Sequence, residues 1–210
     1  MLEPVNSILQ KCNTDPPLPR DITEVDAPVK TALLKPMIEE RGATDKIHLY
    51  ETDYKSDTIL AMIQMDRGVT AGYSGEQDIA HIYFQKNLNL CWRRFVVCKE
   101  MYHCMLDRTS DERTSSVSEL GRLNELLGHY TSSISGTFKP YETERVAENM
   151  ALETLFPVEY RLKLVEDYRS GEVTAYQIAK MFCIPEYYIS YSFQPSYLKA
   201  IVSYRKPLLF

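Results

Sequence analysis

Three neighbouring side chains on one predicted helix have the types and spacing of a hydrolytic metal site. Glu100 and His103 match the E-x-x-H part of the zinc-protease motif H-E-x-x-H, within the segment RRFVVCKEMYHCML (93–106). In that motif two imidazoles one turn apart hold the metal, and the glutamate takes a proton from the bound water. Lys99 stands where the first histidine belongs, and a protonated ammonium has no lone pair to offer a metal. Lys99 is therefore not counted as a ligand.

The polar groups of this segment share one side of the predicted helix. At about 100° per residue, Lys99, Glu100, His103 and Asp107 fall within an arc of about 100°. Apolar residues that can pack inward occupy the opposite face: Val97, Met101, Cys104 and Met105. Because carboxylates near a lysine stabilise its charged form, we expect the ammonium to stay protonated in such a setting.

The elements that must position these groups follow from the patterning along the chain. Short runs of apolar, β-branched and aromatic residues predict strands at 46–52, 58–66 and 79–87. Helical spacing predicts helices at about 94–106, at 117–130, from Glu142 to Pro157, and in two further segments that end at Gly171 and Pro185. Strands first and helices afterwards predict an α+β fold, with a small antiparallel sheet packed against a mostly helical core.

Composition narrows the functional classes. A chain of 210 residues with a net charge of −5 can bury a core but has no broad basic surface, so nucleic-acid binding is not favoured. No apolar run approaches the roughly 20 residues that a membrane-spanning helix needs. The start MLEPVNSILQ lacks a basic segment followed by an apolar core, which predicts no signal peptide. Five scattered cysteines without a C-x-x-C pair are typical of reduced thiols, so we predict a cytoplasmic protein without a membrane partner.

Three segments in order resemble the ImmA/IrrE-type metallopeptidases. They are RRFVVCKEMYHCML (93–106), ERVAENMALETLFP (144–157) and YQIAKMFCIPEYYIS (176–190). The resemblance extends over roughly residues 45–192 and implies a zincin-like core. It divides the chain into an N-terminal extension and helix (1–42), an ImmA/IrrE-like domain (43–192) and a C-terminal tail (193–210).

The resemblance also implies roles for individual residues. Glu100 would be the general base if the protein is active, and His103 and Glu144 would be metal ligands, with Glu144 coming from the later helix. Lys99 departs from the family pattern at the first ligand, so whether the chain is an enzyme stays open. K-E-x-x-H resembles a recurrent branch of this family.

Two physical roles are open for Lys99 and its neighbours. The ammonium can replace the charge of a metal by neutralising Glu100 and Glu144, in which case no cofactor is needed. Alternatively, a shifted site made of His103, Asp107 and Glu144 can bind a single divalent metal, Zn²⁺ or, with this oxygen-rich set, Mn²⁺ or Fe²⁺. Asp107 can instead cap or solvate the end of its helix.

Three functional hypotheses follow. In the first, the chain has an altered or lost metal site and binds a protein partner, such as a helix-turn-helix repressor in a mobile element or stress response. In the second, it is an active metal-dependent endopeptidase that cleaves such a repressor. In the third, residues 173–191 form a DNA-binding helix pair, although the second helix carries Glu186 and tyrosines rather than the cations that phosphates require.

Overall fold

The part of the chain that the computed structural model describes comprises residue 5 and residues 31–40, 44, 46–56, 59–69, 76–106 and 139–205. These residues fall into two compact units. The first takes its residues from Met1–Leu33, Leu88–Phe95 and Met150–Phe210, and the second from Leu34–Asn87 and Val96–Asn149. The domain boundaries predicted at 42/43 and 192/193 come from the family resemblance and stay a prediction.

Helices and strands are mixed, which confirms the α+β prediction. The elements are α1 (Thr31–Glu39), β1 (Lys46–Thr52), β2 (Ala61–Val69), β3 (Glu76–Gln85), α2 (Leu90–Leu106), α3 (Lys139–Leu155), α4 (Val158–Ser170), α5 (Ala175–Phe182), α6 (Glu186–Ser192) and α7 (Pro195–Arg205). The helix predicted at 117–130 lies outside the described residues.

The strands of the second unit form because their side chains alternate between two environments. On β3, Ala80, Ile82 and Phe84 are buried, whereas His81 and Tyr83 are half-buried on the other face. This period of two is what a sheet with one face on a core requires.

The sheet is mixed, so the prediction of an antiparallel sheet is wrong for one of its two strand pairs. The strand order is β1-β3-β2. β2 pairs with β3 antiparallel, with Ile63 opposite Ile82, but β1 pairs with β3 parallel, with Ile47 opposite Ala80. Strand patterning is the same for both directions, because side chains alternate in either kind of sheet. The direction is decided by the connections.

Gln85, at the end of β3, holds the connection that makes the sheet mixed. Its side-chain amide donates to the backbone oxygens of Ser56 and Ile59, and its backbone N–H donates to Leu60 at 3.1 Å. Ser56, Ile59 and Leu60, which lie between β1 and β2 in the sequence, are therefore placed at the C-terminal end of β3. β3 then lies between the two strands that precede it, instead of beside β2 alone.

The helices of the first unit begin and end at identifiable signals. Gly171 ends α4 in the left-handed conformation at φ 81°, as predicted. Thr174 begins α5 with a capping box, in which its hydroxyl accepts from the Gln177 N–H and its own N–H donates to the Gln177 side chain. Pro185 precedes α6 and cannot extend α5, which confirms the second predicted helix end.

A buried ion pair lies in the core of the first unit. Arg161 on α4 donates to Glu153 on α3, and both side chains are fully buried. The Tyr197 hydroxyl on α7 donates to the same carboxylate at 3.1 Å. Burial, and then the negative charge of Glu153, raises the pKa of the Tyr197 phenol well above its ordinary value. This phenol therefore stays protonated and remains a donor.

Candidate functional site

Two helices, α2 and α3, supply the predicted site residues from the parts that belong to the second unit. Lys99 and His103 are four residues apart on α2, so both lie on one face of that helix, one turn from each other. Glu100 is the next residue on α2, and Glu144 comes from α3. We call these four residues the Glu144 cluster.

Glu144 joins the cluster through both oxygens of its carboxylate. Oε1 accepts a hydrogen bond from the Lys99 ammonium, and Oε2 lies 2.9 Å from Nε2 of His103. The Lys99 ammonium also lies 3.1 Å from Oε1 of Glu100. A single cation thus sits between two carboxylates, and an imidazole completes the arrangement.

The cluster is buried rather than solvated. Glu100 and His103 are each 4% exposed and Glu144 is 8% exposed. On the predicted apolar side of α2, Val97, Met101 and Cys104 are buried, whereas Met105 is half-buried. Glu100 and His103 on the polar side are buried as well. Charged groups tolerate such burial only when they are paired, which the contacts with Lys99 achieve.

The pKa of Lys99 shows that its neighbours stabilise the ammonium. Burial by itself lowers the pKa of a lysine, but the negative charges of Glu100 and Glu144, with the hydrogen bond to Glu144, outweigh this and raise it well above its ordinary value. Glu148, one turn after Glu144 on α3, adds to the rise. Lys99 is therefore a fixed positive charge at neutral pH, as expected from the sequence.

Glu144 is correspondingly ionised. Burial raises the pKa of a carboxyl group, but the charge of Lys99 and the hydrogen bond from His103 hold the pKa of Glu144 well below its ordinary value. An ionised carboxylate can only accept hydrogen bonds, so the His103 Nε2 atom must carry a proton and donate it. In this arrangement Nε2 has no lone pair for a metal.

Four of the five predicted site residues therefore meet, and the fifth is not described. Lys99, Glu100, His103 and Glu144 are in contact, whereas Asp107 lies outside the described residues, so its predicted part in a shifted site stays a prediction. Sequence reasoning missed Glu148. Its signal was the spacing from Glu144, because residues four apart on a helix share a face.

The donor set does not fit a standard zinc site. Catalytic zinc takes three protein ligands and a water, and structural zinc takes four ligands. Within residues 31–106 and 139–205, so far as they are described, no group of three or more His, Cys, Asp or Glu side chains is placed to hold a metal ion. In the cluster itself, the position between the carboxylates is taken by a cation that cannot act as a ligand.

The helix pair of the DNA-binding alternative is α5 and α6. α6 has seven residues, and its exposed positions include Glu186 and Tyr187. Lys180 on α5 is exposed. The second helix thus presents a carboxylate and a phenol where DNA recognition uses cations and amides.

The comparisons with known proteins give no relative for this chain. No protein-family model, no curated protein and no solved structure matches it. Among the helices that the structure describes, none has the length and apolar character that crossing a membrane requires.

Proposed function

We propose that this chain is an ImmA/IrrE-like protein in which the Lys99 ammonium has replaced the catalytic metal, and that it acts by binding a protein partner. The observation that carries the proposal is the position of Lys99. Its ammonium contacts Glu144, the residue that the family resemblance makes a metal ligand, and lies 3.1 Å from Glu100, the residue that it makes the general base.

The paired contacts support a cluster that holds together without an ion. The Lys99 ammonium faces the carboxylates of Glu100 and Glu144, and the His103 N–H saturates the remaining oxygen of Glu144. A divalent cation at this place would meet the Lys99 charge at close range. Since like charges in a poorly solvated site repel strongly, metal binding would require Lys99 to leave.

The loss of a general base follows from the same contacts. A general base must reach the proton that it removes. The carboxylate of Glu100 is buried and faces an ammonium. In this proposal it is a counter-ion of Lys99 on the same helix instead of the group that activates a water.

Metal content tests the first half of the proposal. Protein purified without chelator should contain a small fraction of one equivalent of zinc, manganese or iron, measured by mass spectrometry of the metals. Lys99→His rebuilds H-E-x-x-H and places two imidazoles one turn apart with Glu144 nearby, so this variant should bind about one equivalent of zinc. The matched control Lys99→Gln removes the ammonium without adding a ligand and should bind none.

One equivalent of metal in the unaltered protein, with loss of thermal stability on chelation, would overturn the charge-replacement proposal and favour the endopeptidase. If neither Lys99→His nor the parent bound zinc, the scaffold would lack the ligand geometry of a metal site. The contacts of Lys99 would stand, but the proposed relation to the metallopeptidases would be contradicted.

Partner binding tests the second half. The probe is the product of the neighbouring gene, which this proposal expects to be a small helix-turn-helix repressor. The two proteins should elute together by size exclusion, and mass spectrometry should find the repressor intact. Glu100→Gln should leave binding unchanged. Cleavage that disappears in Glu100→Gln would instead identify an active peptidase.

A further inference from the structure

Cys91 and Cys183 come together in the first unit, although ninety-one residues separate them in the sequence. Cys91 lies in the first turn of α2 and is half-buried, and Cys183 follows the last residue of α5 and is 3% exposed. The two thiols are close enough to interact through charge and through a side-chain hydrogen bond.

Contacts of two other residues place the turn after α5 near Cys91. Arg94, three residues after Cys91 and on the same helix face, donates through Nη1 to the backbone oxygens of Phe182 at 2.6 Å and Cys183 at 2.9 Å. Phe95, four residues after Cys91, stacks on Tyr188 with ring centroids 3.9 Å apart. The face of α2 that carries Cys91 thus lies against the turn between α5 and α6.

The backbone at Cys183 is unusual. With φ 49° and ψ 51°, it is the one residue other than glycine with a positive φ in the described part of the chain. A helix that ends in this conformation usually carries glycine or asparagine there, because a Cβ atom is unfavourable. The thiol also donates to the Lys180 backbone oxygen at 3.6 Å. A cysteine is therefore held at a costly position, with its side chain beside a second thiol.

We propose that Cys91 and Cys183 are a proximal dithiol site, which a small disulfide such as oxidised glutathione converts to a reversible internal disulfide. Cys91 is the entry thiol because it is the more exposed, and Cys183 is the resolving thiol. The site is independent of the Glu144 cluster and of its proposed role.

The reaction proceeds by two exchanges. The Cys91 thiolate attacks one sulfur of oxidised glutathione, whose S–S bond breaks, and one glutathione leaves as a thiolate that takes up a proton. The Cys183 thiolate then attacks the Cys91 sulfur, the mixed disulfide breaks, and the second glutathione leaves. Two protein thiols are oxidised, and one glutathione disulfide is reduced to two thiols.

The environment makes this a slow site. Burial, and then Cys183, raises the pKa of the Cys91 thiol, although Arg94 opposes the rise. Little thiolate is therefore present at neutral pH, and the thiolate is the attacking species. The site thus responds to sustained oxidation rather than to brief exposure.

The test uses the full chain, purified reduced and then incubated with oxidised glutathione. The five thiols counted in denaturant should fall by two, the intact mass should show no retained glutathione, and peptide mapping should join Cys91 to Cys183. The oxidised form should melt at a higher temperature, because the cross-link restricts the unfolded chain, and dithiothreitol should reverse both changes.

Two variants separate the roles of the thiols. Cys183→Gly suits the left-handed backbone and removes the resolving thiol, so it should retain glutathione on Cys91. Cys91→Ser removes the entry thiol and should leave Cys183 unmodified. Thermal unfolding of the reduced variants, compared with the reduced parent, shows whether each variant is folded. The two variants are tested separately, so that if one does not fold, the other still tests the pair.

Three results would overturn the site. They are glutathione retained on Cys91 in the unaltered protein, a disulfide that joins other cysteines, and no loss of thiols after an incubation that fully modifies the unfolded chain.

Discussion

The Lys99 ammonium donates to the Glu144 carboxylate across forty-five residues of sequence, and this contact joins α2 to α3. The two side chains are 16% and 11% exposed, so water screens the pair only weakly. The contact places a permanent cation on the residue that a metallopeptidase of the resembled family would use as a ligand.

Removing the ammonium should destabilise the fold. Lys99→Met keeps much of the aliphatic stem but leaves Glu100 and Glu144 buried without a cation. Breaking a buried pair in this way costs roughly 3–5 kcal/mol of the free energy of unfolding, and the partial exposure of Lys99 favours the lower end. Urea denaturation at neutral pH measures the change.

The matched control is Lys180→Met, which removes an exposed lysine from the last turn of α5. A surface substitution of this kind should change the free energy of unfolding by no more than about 0.5 kcal/mol. Equal effects of the two substitutions would contradict a special role for Lys99.

The Lys99 and Glu144 substitutions should not be additive. Glu144→Gln removes one carboxylate partner of the ammonium, and Lys99→Met removes the ammonium partner of Glu144. The double variant removes both charges, so its loss of stability should be smaller than the sum of the single losses by about 1–3 kcal/mol, the range for residues in one network. A double-mutant cycle in urea measures this coupling. Additive losses would mean that the two groups do not stabilise each other.

The stability that the pair provides should depend on pH in a defined direction. Because the pKa of Glu144 is lowered in the folded protein, its contribution is present above the ordinary value of 4.5 and is lost as the pH falls through the folded pKa. Because the pKa of Lys99 is raised, its contribution is present below the ordinary value of 10.5 and is lost only as the pH rises through the higher folded pKa.

The difference in unfolding free energy between the parent and Lys99→Met should therefore be constant between about pH 6 and pH 9 and should shrink below about pH 4.5. Denaturation curves at several pH values measure it. A difference that grows on acidification would show that Glu144 is not ionised beside Lys99.

Much of this site could be predicted from the sequence because it depends on local spacing. The face shared by Lys99, Glu100 and His103 follows from the helical period alone. The partnership with Glu144 came from family resemblance, since a contact across two helices leaves no trace in local periodicity. The burial of the polar face was not foreseen, because it depends on charges that other elements bring.

The sheet includes a feature that the sequence does not predict, the direction of strand pairing. The existence of three strands follows from short runs of apolar, β-branched and aromatic residues, and β1 is predicted at its observed bounds, 46–52. The direction of pairing is not predicted, because it depends on where the connection after Thr52 runs. That path is held by the Gln85 side chain, a single polar residue whose tertiary role has no pattern in the sequence.

The buried Arg161–Glu153 pair in the first unit allows two losses to be compared: that of a charged partner and that of a neutral hydrogen-bond donor. Glu153→Gln should be strongly destabilising, by roughly 3–5 kcal/mol, because Arg161 would remain fully buried with no carboxylate facing its guanidinium. Tyr197→Phe removes one hydrogen bond to a carboxylate that keeps its arginine, and should cost about 1.5–3 kcal/mol. Thermal or urea unfolding of the two variants gives the order. If Tyr197→Phe were the more damaging, the phenol rather than the guanidinium would be the main stabiliser of Glu153, and the ion pair would contribute less than its burial implies.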